Sequence, residues 1–358
     1  MKIKSTLLAL LAGAAIVVGA CGGSTASPSA SAATGTVCEQ AIAAGEPATT
    51  LLGKICAAGV IKIATDPAYP PYSELNASGE YVGFDSDTAR ETAKRLGVTV
   101  EWVTPDWAAI TAGSWGGRWD ISIGSMTQTE ERAMVVDFLE PYFYEAGYLI
   151  VPTDSSITTV ADLAGKTICA GESTTHATWI EGGFATSTVV DVFNQAPAGA
   201  ILKTYPTDYN CIEAYLAGRT DDWDAMAQSR EFIENAIANS DGKLKFLSEE
   251  ANFAGRISFA LDKSGPDTAS AIVAINKIIA AMGDRAGEDD PSFVIIKATY
   301  FEWRQVKLVR DKSDSGDMAR WFDAPLNRTQ FFDTTGADMD HAATWVPKLV
   351  LGPAVCAL

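Results

Sequence analysis

The chain has 358 residues and carries 27 Lys and Arg against 45 Asp and Glu, a formal net charge of −18. Such a surface repels phosphate backbones and anionic lipid headgroups, so no nucleic acid is expected as a partner and any membrane attachment must be covalent. The length is sufficient for one large or two ordinary domains with sizeable cores.

The first residues have the layout of an export signal. A positively charged start is followed by an apolar stretch from Leu7 to Val18 and then by small residues before Cys21. About 20 apolar residues are needed to cross a bilayer as a helix, so this shorter stretch predicts a cleavable signal peptide over residues 1–20. The tetrapeptide Val-Gly-Ala-Cys that ends at Cys21 resembles the bacterial lipobox, which implies a lipid on Cys21. An ordinary cleaved signal with a chance cysteine is the alternative.

We therefore expect an exported protein that the lipid on Cys21 anchors to the outer face of the cytoplasmic membrane, or that is periplasmic. The chain from Gly22 to Thr36 contains only Gly, Ser, Thr, Ala and Pro. Because these residues cannot build a core, the sequence predicts a flexible tether over residues 21–50.

Five further cysteines have no spacing typical of a zinc ribbon or a redox motif. In an exported protein the default is a disulfide. The preferred pairs are Cys38 with Cys56 and Cys169 with Cys211. A pairing of Cys38 or Cys56 with Cys356 is an open alternative.

Strands and helices alternate along the chain from residue 60. The predicted elements of the first half are the strand Val60–Thr65, the helix Ser86–Leu96, and the strands Val98–Trp102 and Asp120–Ser125. A second series follows Pro152, with strands at Thr167–Ala170, near Ile201–Lys203 and at Asp224–Ala227, and a helix at Tyr209–Ala217. The strand Ile257–Leu261 and a helix from about Thr268 to Met282 complete the pattern. This alternation predicts a parallel α/β architecture.

Five motifs then carry a family resemblance, and each is weak alone. They are Asp66–Tyr72, Gly83–Asp87, Gly124–Arg132, Asp137–Tyr142 and Asp162–Lys166. Their order and spacing resemble those of the family 3 extracellular solute-binding proteins, which include the amino-acid receptors of bacterial ABC importers. The resemblance covers about residues 55–265.

The resemblance implies a two-lobed periplasmic-binding-protein-like fold of type II. Each lobe would be a mostly parallel sheet flanked by helices, and a two-strand hinge would cross near Phe143–Tyr148 and Phe253–Ser258 and close on a ligand. The implied ranges are lobe 1 at 51–145, lobe 2 at 146–255, a return to lobe 1 at 256–285, and a C-terminal extension at 286–358. The aromatic residues of that extension predict that it packs on the body.

The same resemblance implies the carboxylate half of a ligand site. Arg132 takes the position of the family's carboxylate-binding arginine, and its planar guanidinium matches a carboxylate bidentately. Thr127 and the backbone of Ser125 would hold the same head group. Tyr69 and Trp107 would sandwich the ligand side chain, with core packing as the alternative for Trp107.

The second lobe contributes a predicted helix start at Ser173-Thr174-Thr175, where free N–H groups favour an anion near Thr174 and Thr175. The family's ammonium-binding aspartate is replaced here by Ser229, which cannot supply a charge. Another acid such as Asp66 or Glu172 then takes over, or the ligand is not a standard α-amino acid.

The implied function is capture of an amino acid or related small carboxylate by a monomeric lipoprotein that serves the membrane permease of an ABC importer, without catalysis. The alternative is an enzyme similar to the periplasmic cyclohexadienyl-acid dehydratases of the same fold, with Glu172 as its acid. No cofactor or metal is expected, because His176 and His341 are far apart in sequence and Asp311–Gly316 reads as a polar turn rather than a calcium loop.

Overall fold

The computed structural model describes residues 35–283, together with the backbone of two short strands at 293–295 and 308–310. The predicted signal peptide, Cys21, Cys356, His341 and the Asp311–Gly316 turn lie outside the described residues, as does most of the predicted C-terminal extension. Among the residues that are described, no helix has the length and apolarity needed to cross a membrane.

Helices and strands alternate through most of the described chain. The helices are α1 Val37–Ala43, α2 Leu51–Ala58, α3 Phe84–Leu96, α4 Trp107–Thr111, α5 Thr175–Ile180, α6 Asp208–Leu216, α7 Arg230–Ala238 and α8 Ala269–Gly283. The strands up to the middle of the chain are β1 Val60–Ala64, β2 Ala68–Tyr69, β3 Ser73–Leu75, β4 Tyr81–Val82, β5 Thr99–Val103, β6 Ile121–Thr127 and β7 Val136–Pro152. The later strands are β8 Thr167–Gly171, β9 Asp191–Val192, β10 Ile201–Tyr205, β11 Ala225–Ser229, β12 Leu244–Phe246, β13 Phe253–Asp262, β14 Phe293–Ile295 and β15 Leu308–Arg310. Short 3-10 turns occur at Arg132–Met134 and Val160–Leu163.

The main sheet has the strand order β10-β8-β11-β7-β13-β6-β1-β5. In lobe 1, β1 is parallel to β5 and β6, and in lobe 2, β8 is parallel to β10 and β11. Parallel neighbours need crossover connections, which the helices between these strands provide. The predicted two-lobed α/β fold is confirmed.

Two long strands join the lobes. The first half of β7 pairs antiparallel with β13, from Val136 opposite Asp262 to Gly147 opposite Phe253, and its second half pairs with β11 and β12. The segments predicted as crossings are therefore paired with each other. Gly147 permits this close approach, because a Cβ there would lie 2.3 Å from the Phe253 ring.

Apolar helix faces cover both sheets. The predicted stripe of α3, namely Ala89, Ala93 and Leu96, is buried, and the helix ends at Gly97 in the left-handed conformation that glycine tolerates best. The lobe 1 core also includes Leu52, Ile55, Ile61, Ile63, Ile275 and Ile279. In lobe 2, Cys169 of the sheet lies in one cluster with Cys211, Trp223 and Phe232, and Leu149 and Ile168 lie in another with Trp179.

Both preferred disulfides are confirmed: Cys38 is bonded to Cys56, and Cys169 to Cys211. Helix α1 therefore lies within the range 21–50 that was predicted as a tether. Thr36 caps this helix in a reciprocal arrangement with Glu39, and Cys38 is buried against the lobe 1 core. Packing and a covalent link thus fix residues that composition alone assigned to a flexible segment.

Candidate functional site

A cavity between the lobes brings most of the predicted site residues together. Eight of the nine line it: Asp66, Tyr69, Trp107, Ser125, Thr127, Arg132, Thr174 and Thr175. Ser229 does not. The lining also includes residues that the sequence did not single out for binding, among them Glu145, His176, Asp208 and Gln228.

Arg132 is the most deeply placed cation of this cavity. It opens the short turn after β6, where its backbone N–H donates to Thr129 Oγ1, and its side chain is only 7% exposed. The guanidinium donates to the carbonyl oxygens of Thr127 at 3.0 Å and Ser173 at 2.8 Å, one from each lobe. Burial lowers the pKa of Arg132 to about 10, so the group stays charged at neutral pH.

No carboxylate forms an ion pair with Arg132 in the part of the chain that the structure describes. Its remaining neighbour is the Trp107 ring, whose centre lies 5.4 Å from the guanidinium carbon. A buried cation without a paired anion is costly, because backbone carbonyls offset only part of the lost hydration. This end of the cavity is therefore suited to an anion.

The loop from Gly171 to Thr175 forms the facing wall of lobe 2. Ser173 has φ 60°, a left-handed conformation unusual for a residue other than glycine, and its carbonyl accepts from both Arg132 and Trp107 Nε1. Thr174 caps α5 by accepting from Ala177 N–H. Thr175 Oγ1 lies 3.3 Å from Thr127 Oγ1 in the other lobe.

Ser125 also has a left-handed backbone, with φ 52°. Its N–H donates to the Tyr142 hydroxyl and its own hydroxyl donates to Asp85. The backbone N–H that was expected to hold a ligand head group thus already has an acceptor within the protein.

Three polar side chains of the cavity wall contact one another, with Tyr69 between Glu145 and Gln228. The Tyr69 hydroxyl lies 3.0 Å from Glu145 Oε1 and 3.0 Å from Gln228 Oε1, and Gln228 Oε1 also accepts from Ser229 N–H. A hydroxyl has one proton to donate, so both contacts are hydrogen bonds only if Glu145 is protonated and donates to Tyr69. Burial raises the pKa of Glu145 to about 8, which agrees with that assignment.

Two aspartates face the same cavity from opposite lobes. Asp66 accepts from Ala68 N–H in lobe 1, and burial raises its pKa. Asp208 opens α6 in lobe 2 and accepts from Gly171 N–H at 2.6 Å. Burial, with a smaller repulsion from Asp66, raises the pKa of Asp208 to about 7.

Ser229 lies beneath this surface, with no exposed area and its hydroxyl 3.5 Å from that of Tyr69. It is the N-cap residue of α7. Its burial separates it from the cavity wall, where the family resemblance predicted it.

His176 also lines the cavity, although the sequence assigned no ligand-binding role to it. It is 3% exposed, and burial, aided by the charge of Arg132, lowers its pKa to about 3, so the ring is neutral. Its Nε2 has no hydrogen-bond partner among the residues that the structure describes. Among the described residues no group of three or more His, Cys, Asp or Glu side chains is arranged to hold a metal ion.

Comparisons with known proteins place the chain in a family. The family model of the bacterial extracellular solute-binding proteins, family 3, matches residues 61–327. The histidine-binding periplasmic protein of Salmonella typhimurium is 30% identical over 180 residues, which cover 49% of this chain and 65% of that protein. The chain thus spans a little under two thirds of this curated relative.

Solved structures give the same result for the fold. An ancestral arginine-binding protein bound to arginine superposes with a TM-score of 0.54 and 26% identity, covering 64% of this chain and 94% of that one. An ancestral amino acid-binding protein, described as a precursor of cyclohexadienyl dehydratase, superposes with a TM-score of 0.54 at 24% identity, over 66% of this chain and 94% of its own, and so supports the fold alone. The match of the family model over most of the chain shows that this protein belongs to the bacterial extracellular solute-binding proteins, family 3.

Proposed function

We propose that this protein captures an amino acid in the cavity between its lobes, with the ligand carboxylate on Arg132. The observation that carries the proposal is the buried, charged guanidinium that contacts backbone carbonyls from both lobes and pairs with no carboxylate of the described chain. A ligand carboxylate would supply the missing countercharge through two parallel hydrogen bonds.

Further support comes from the shape of the site. Because Arg132 and Thr127 of lobe 1 face Ser173 and Thr175 of lobe 2, a ligand bound there would contact both lobes and favour their closed arrangement. Closure around a ligand is an established motion for two-lobed receptors. The named relatives bind histidine and arginine, which makes these two the first solutes to test.

We further propose that the protein delivers its solute to the membrane subunits of an ABC importer and that the lipid on Cys21 keeps it near them. This step rests on the signal-like N-terminus and on family membership. Tethering raises the local concentration of the loaded receptor at its permease.

A thermal-shift screen of the purified protein tests the proposal. The probes are the twenty amino acids and a matched set of small carboxylates that lack an amine. A ligand that binds only the native state at 100 times its Kd stabilises it by about 2.7 kcal/mol, which is a clear rise in melting temperature. We expect at least one amino acid to produce this rise, and no response from any amino acid would refute the proposal.

One feature of the cavity favours a second candidate, an enzyme related to the cyclohexadienyl-acid dehydratases. A protonated carboxylic acid in a cleft, as Glu145 is here, is a suitable proton donor to a leaving hydroxyl. Incubation with a cyclohexadienyl acid, followed by detection of the aromatic product, distinguishes the two. Turnover that is lost in Glu145→Gln would replace binding by catalysis as the function.

A further inference from the structure

The ammonium of an amino acid needs an acceptor, and Ser229 does not provide it because it is uncharged and fully buried. Asp208 has the required placement. It lines the cavity, is 8% exposed, and is held by the Gly171 N–H at 2.6 Å and by a hydrogen bond from the Gln228 side chain.

Gly171 allows the carboxylate to approach this closely. A Cβ at position 171 would lie 2.8 Å from the carboxyl carbon of Asp208, so a larger residue would displace the acid from the wall. The position of Asp208 is thus fixed by close packing on one side and hydrogen bonds on the other.

The same loop contacts both Asp208 and Arg132. Gly171 N–H donates to Asp208, and two residues later the Ser173 carbonyl accepts from the guanidinium at 2.8 Å. Two residues span at most about 7 Å of backbone. An α-amino acid carries its carboxylate and its ammonium on one carbon, so a single ligand of this kind suits a cation and an anion that both contact one short loop.

Lobe 1 contributes a second acid, Asp66, which is a poorer acceptor for the ligand ammonium. Asp66 faces Asp208 closely enough for the two charges to repel, and it is held on lobe 1 by Ala68. A positive group between them would replace this repulsion by attraction to both lobes. Glu172 lines the same cavity.

His176 is an independent sign that this wall meets a polar ligand. This residue lines the cavity and is 97% buried, and its Nε2 has no hydrogen-bond partner in the described part of the chain. Buried polar atoms are rarely left unsatisfied, so a ligand with hydrogen-bonding groups is expected beside it.

We propose that Asp208 is the acceptor of the ligand's α-ammonium, so that the ligand is an α-amino acid rather than a simple carboxylate. This inference rests on the proposed function, since it assumes that the ligand carboxylate lies on Arg132. It assigns to the first residue of α6 the role that an aspartate at position 229 has in the family that the sequence resembles.

The test is calorimetric titration of the purified protein with the twenty L-amino acids, followed by titration with the des-amino counterpart of the tightest one, in which hydrogen replaces the ammonium. We expect the wild type to prefer the amino acid by about 100-fold. Asp208→Asn should weaken amino-acid binding by about 30-fold and leave the des-amino affinity within about threefold, because only the charge that meets the ammonium is lost.

The Asn variant should fold, since its side-chain oxygen still accepts from Gly171 N–H, and circular dichroism checks this. The matched control is Asp221→Asn, the same change at an exposed position of lobe 2, which should leave both affinities unchanged. Asp66→Asn and Glu172→Gln test whether one of these other two acids is the ammonium acceptor instead.

Each outcome decides the question. Amino-acid binding that survives Asp208→Asn, or a preference for the amino acid that is removed by Asp66→Asn or Glu172→Gln instead, overturns the assignment of Asp208 while leaving the proposed function intact. If no amino acid binds the wild type, the proposed function fails together with this inference.

Discussion

The two charged ends of the cavity are built in different ways. Arg132 contacts two backbone carbonyls, one from each lobe, and with a pKa near 10 it is charged throughout the physiological range. Asp208 is held by one backbone N–H and the Gln228 side chain, and burial raises its pKa to about 7. The cationic end is therefore permanently charged, whereas the charge of the acidic end depends on pH and on what lies beside it.

The cation and the acid therefore contribute differently to ligand binding. A permanent cation can attract any small carboxylate, while an acid whose ionisation is disfavoured by burial is stabilised as the anion mainly by a positive partner. We infer that Arg132 sets the affinity for the head group and that the acidic end selects ligands carrying an amine.

Removing the permanent charge should have the largest effect. Arg132→Ala is expected to weaken amino-acid binding by about 100-fold, because the ligand carboxylate would be left buried without its charged partner. Calorimetry with the amino acid identified in the thermal-shift screen measures the loss.

The matched variant Arg132→Lys keeps the charge but not the planar fork, and should recover only part of the affinity. Because Arg132→Ala also removes the hydrogen bonds to the Thr127 and Ser173 carbonyls, circular dichroism and the melting temperature are measured beside the affinity to check that the variant is folded. Near wild-type affinity in Arg132→Ala would refute the role of this residue as the carboxylate site.

The next largest effect is expected from Asp208, whose charge depends on pH and should make the ligand affinity depend on pH. An ammonium binds the ionised form of Asp208, whose pKa is about 7 and which faces Asp66, Tyr69 and Gln228. Affinity should therefore rise by about tenfold from pH 6 to pH 8, as the acid ionises, while a free amino acid remains a zwitterion.

Titrations at pH 6, 7 and 8 measure this rise. The profile should become flat in Asp208→Asn and should be absent for the des-amino compound, which has no positive group. A rise that persists in Asp208→Asn would assign the titration to another group.

The sequence allowed a more specific hypothesis for the cationic end of the cavity than for the acidic end. Arg132 lies in the Gly124–Arg132 motif, one of those that carry the family resemblance, so the resemblance itself implies the carboxylate half of the site. Asp208 follows the capping residue Thr207 and reads as an ordinary acid in the first turn of a helix. Only the close approach of Gly171, which is a tertiary contact, makes it part of the cavity wall.

The other differences between expectation and structure also arise from tertiary contacts. The family resemblance placed the ammonium site at position 229. It gives the order of residues along the strand but not the depth at which each side chain lies. Glu145 falls inside the correctly predicted crossing segment, yet its neighbours Tyr69 and Gln228 are 76 and 83 residues away along the chain. The fold class followed from local alternation, whereas these contacts depend on how the lobes meet.

A smaller effect is expected at a contact between the lobes that lies two residues before Arg132. The exposed carboxylate of Glu130 in lobe 1 accepts from Thr188 N–H at 2.8 Å and from the hydroxyls of Ser187 and Thr188 in lobe 2. Exposed polar contacts contribute little, so Glu130→Ala should speed ligand release by about threefold and leave association unchanged. Stopped-flow measurement of both rates tests this, and a change confined to association would contradict it.

The smallest effect on binding is predicted at Glu145, where the carboxyl group is already neutral. Glu145→Gln replaces a protonated acid by an amide of the same shape that can still donate to Tyr69, so amino-acid affinity should change by less than about twofold. A tenfold loss in calorimetry would instead mean that Glu145 binds the ligand as an anion.

Stability should respond to this substitution even though binding does not. Burial raises the pKa of Glu145 from 4.5 to about 8, so between these values the folded protein holds a proton that the unfolded chain releases. Raising the pH through this window therefore favours unfolding of the wild type, and the amide, which does not titrate, removes that penalty. The melting temperature of Glu145→Gln should exceed that of the wild type by an increasing margin from pH 5 to pH 8. A margin that does not change with pH would show that Glu145 is ionised in the folded protein, and that the Tyr69 hydroxyl donates to it rather than to Gln228.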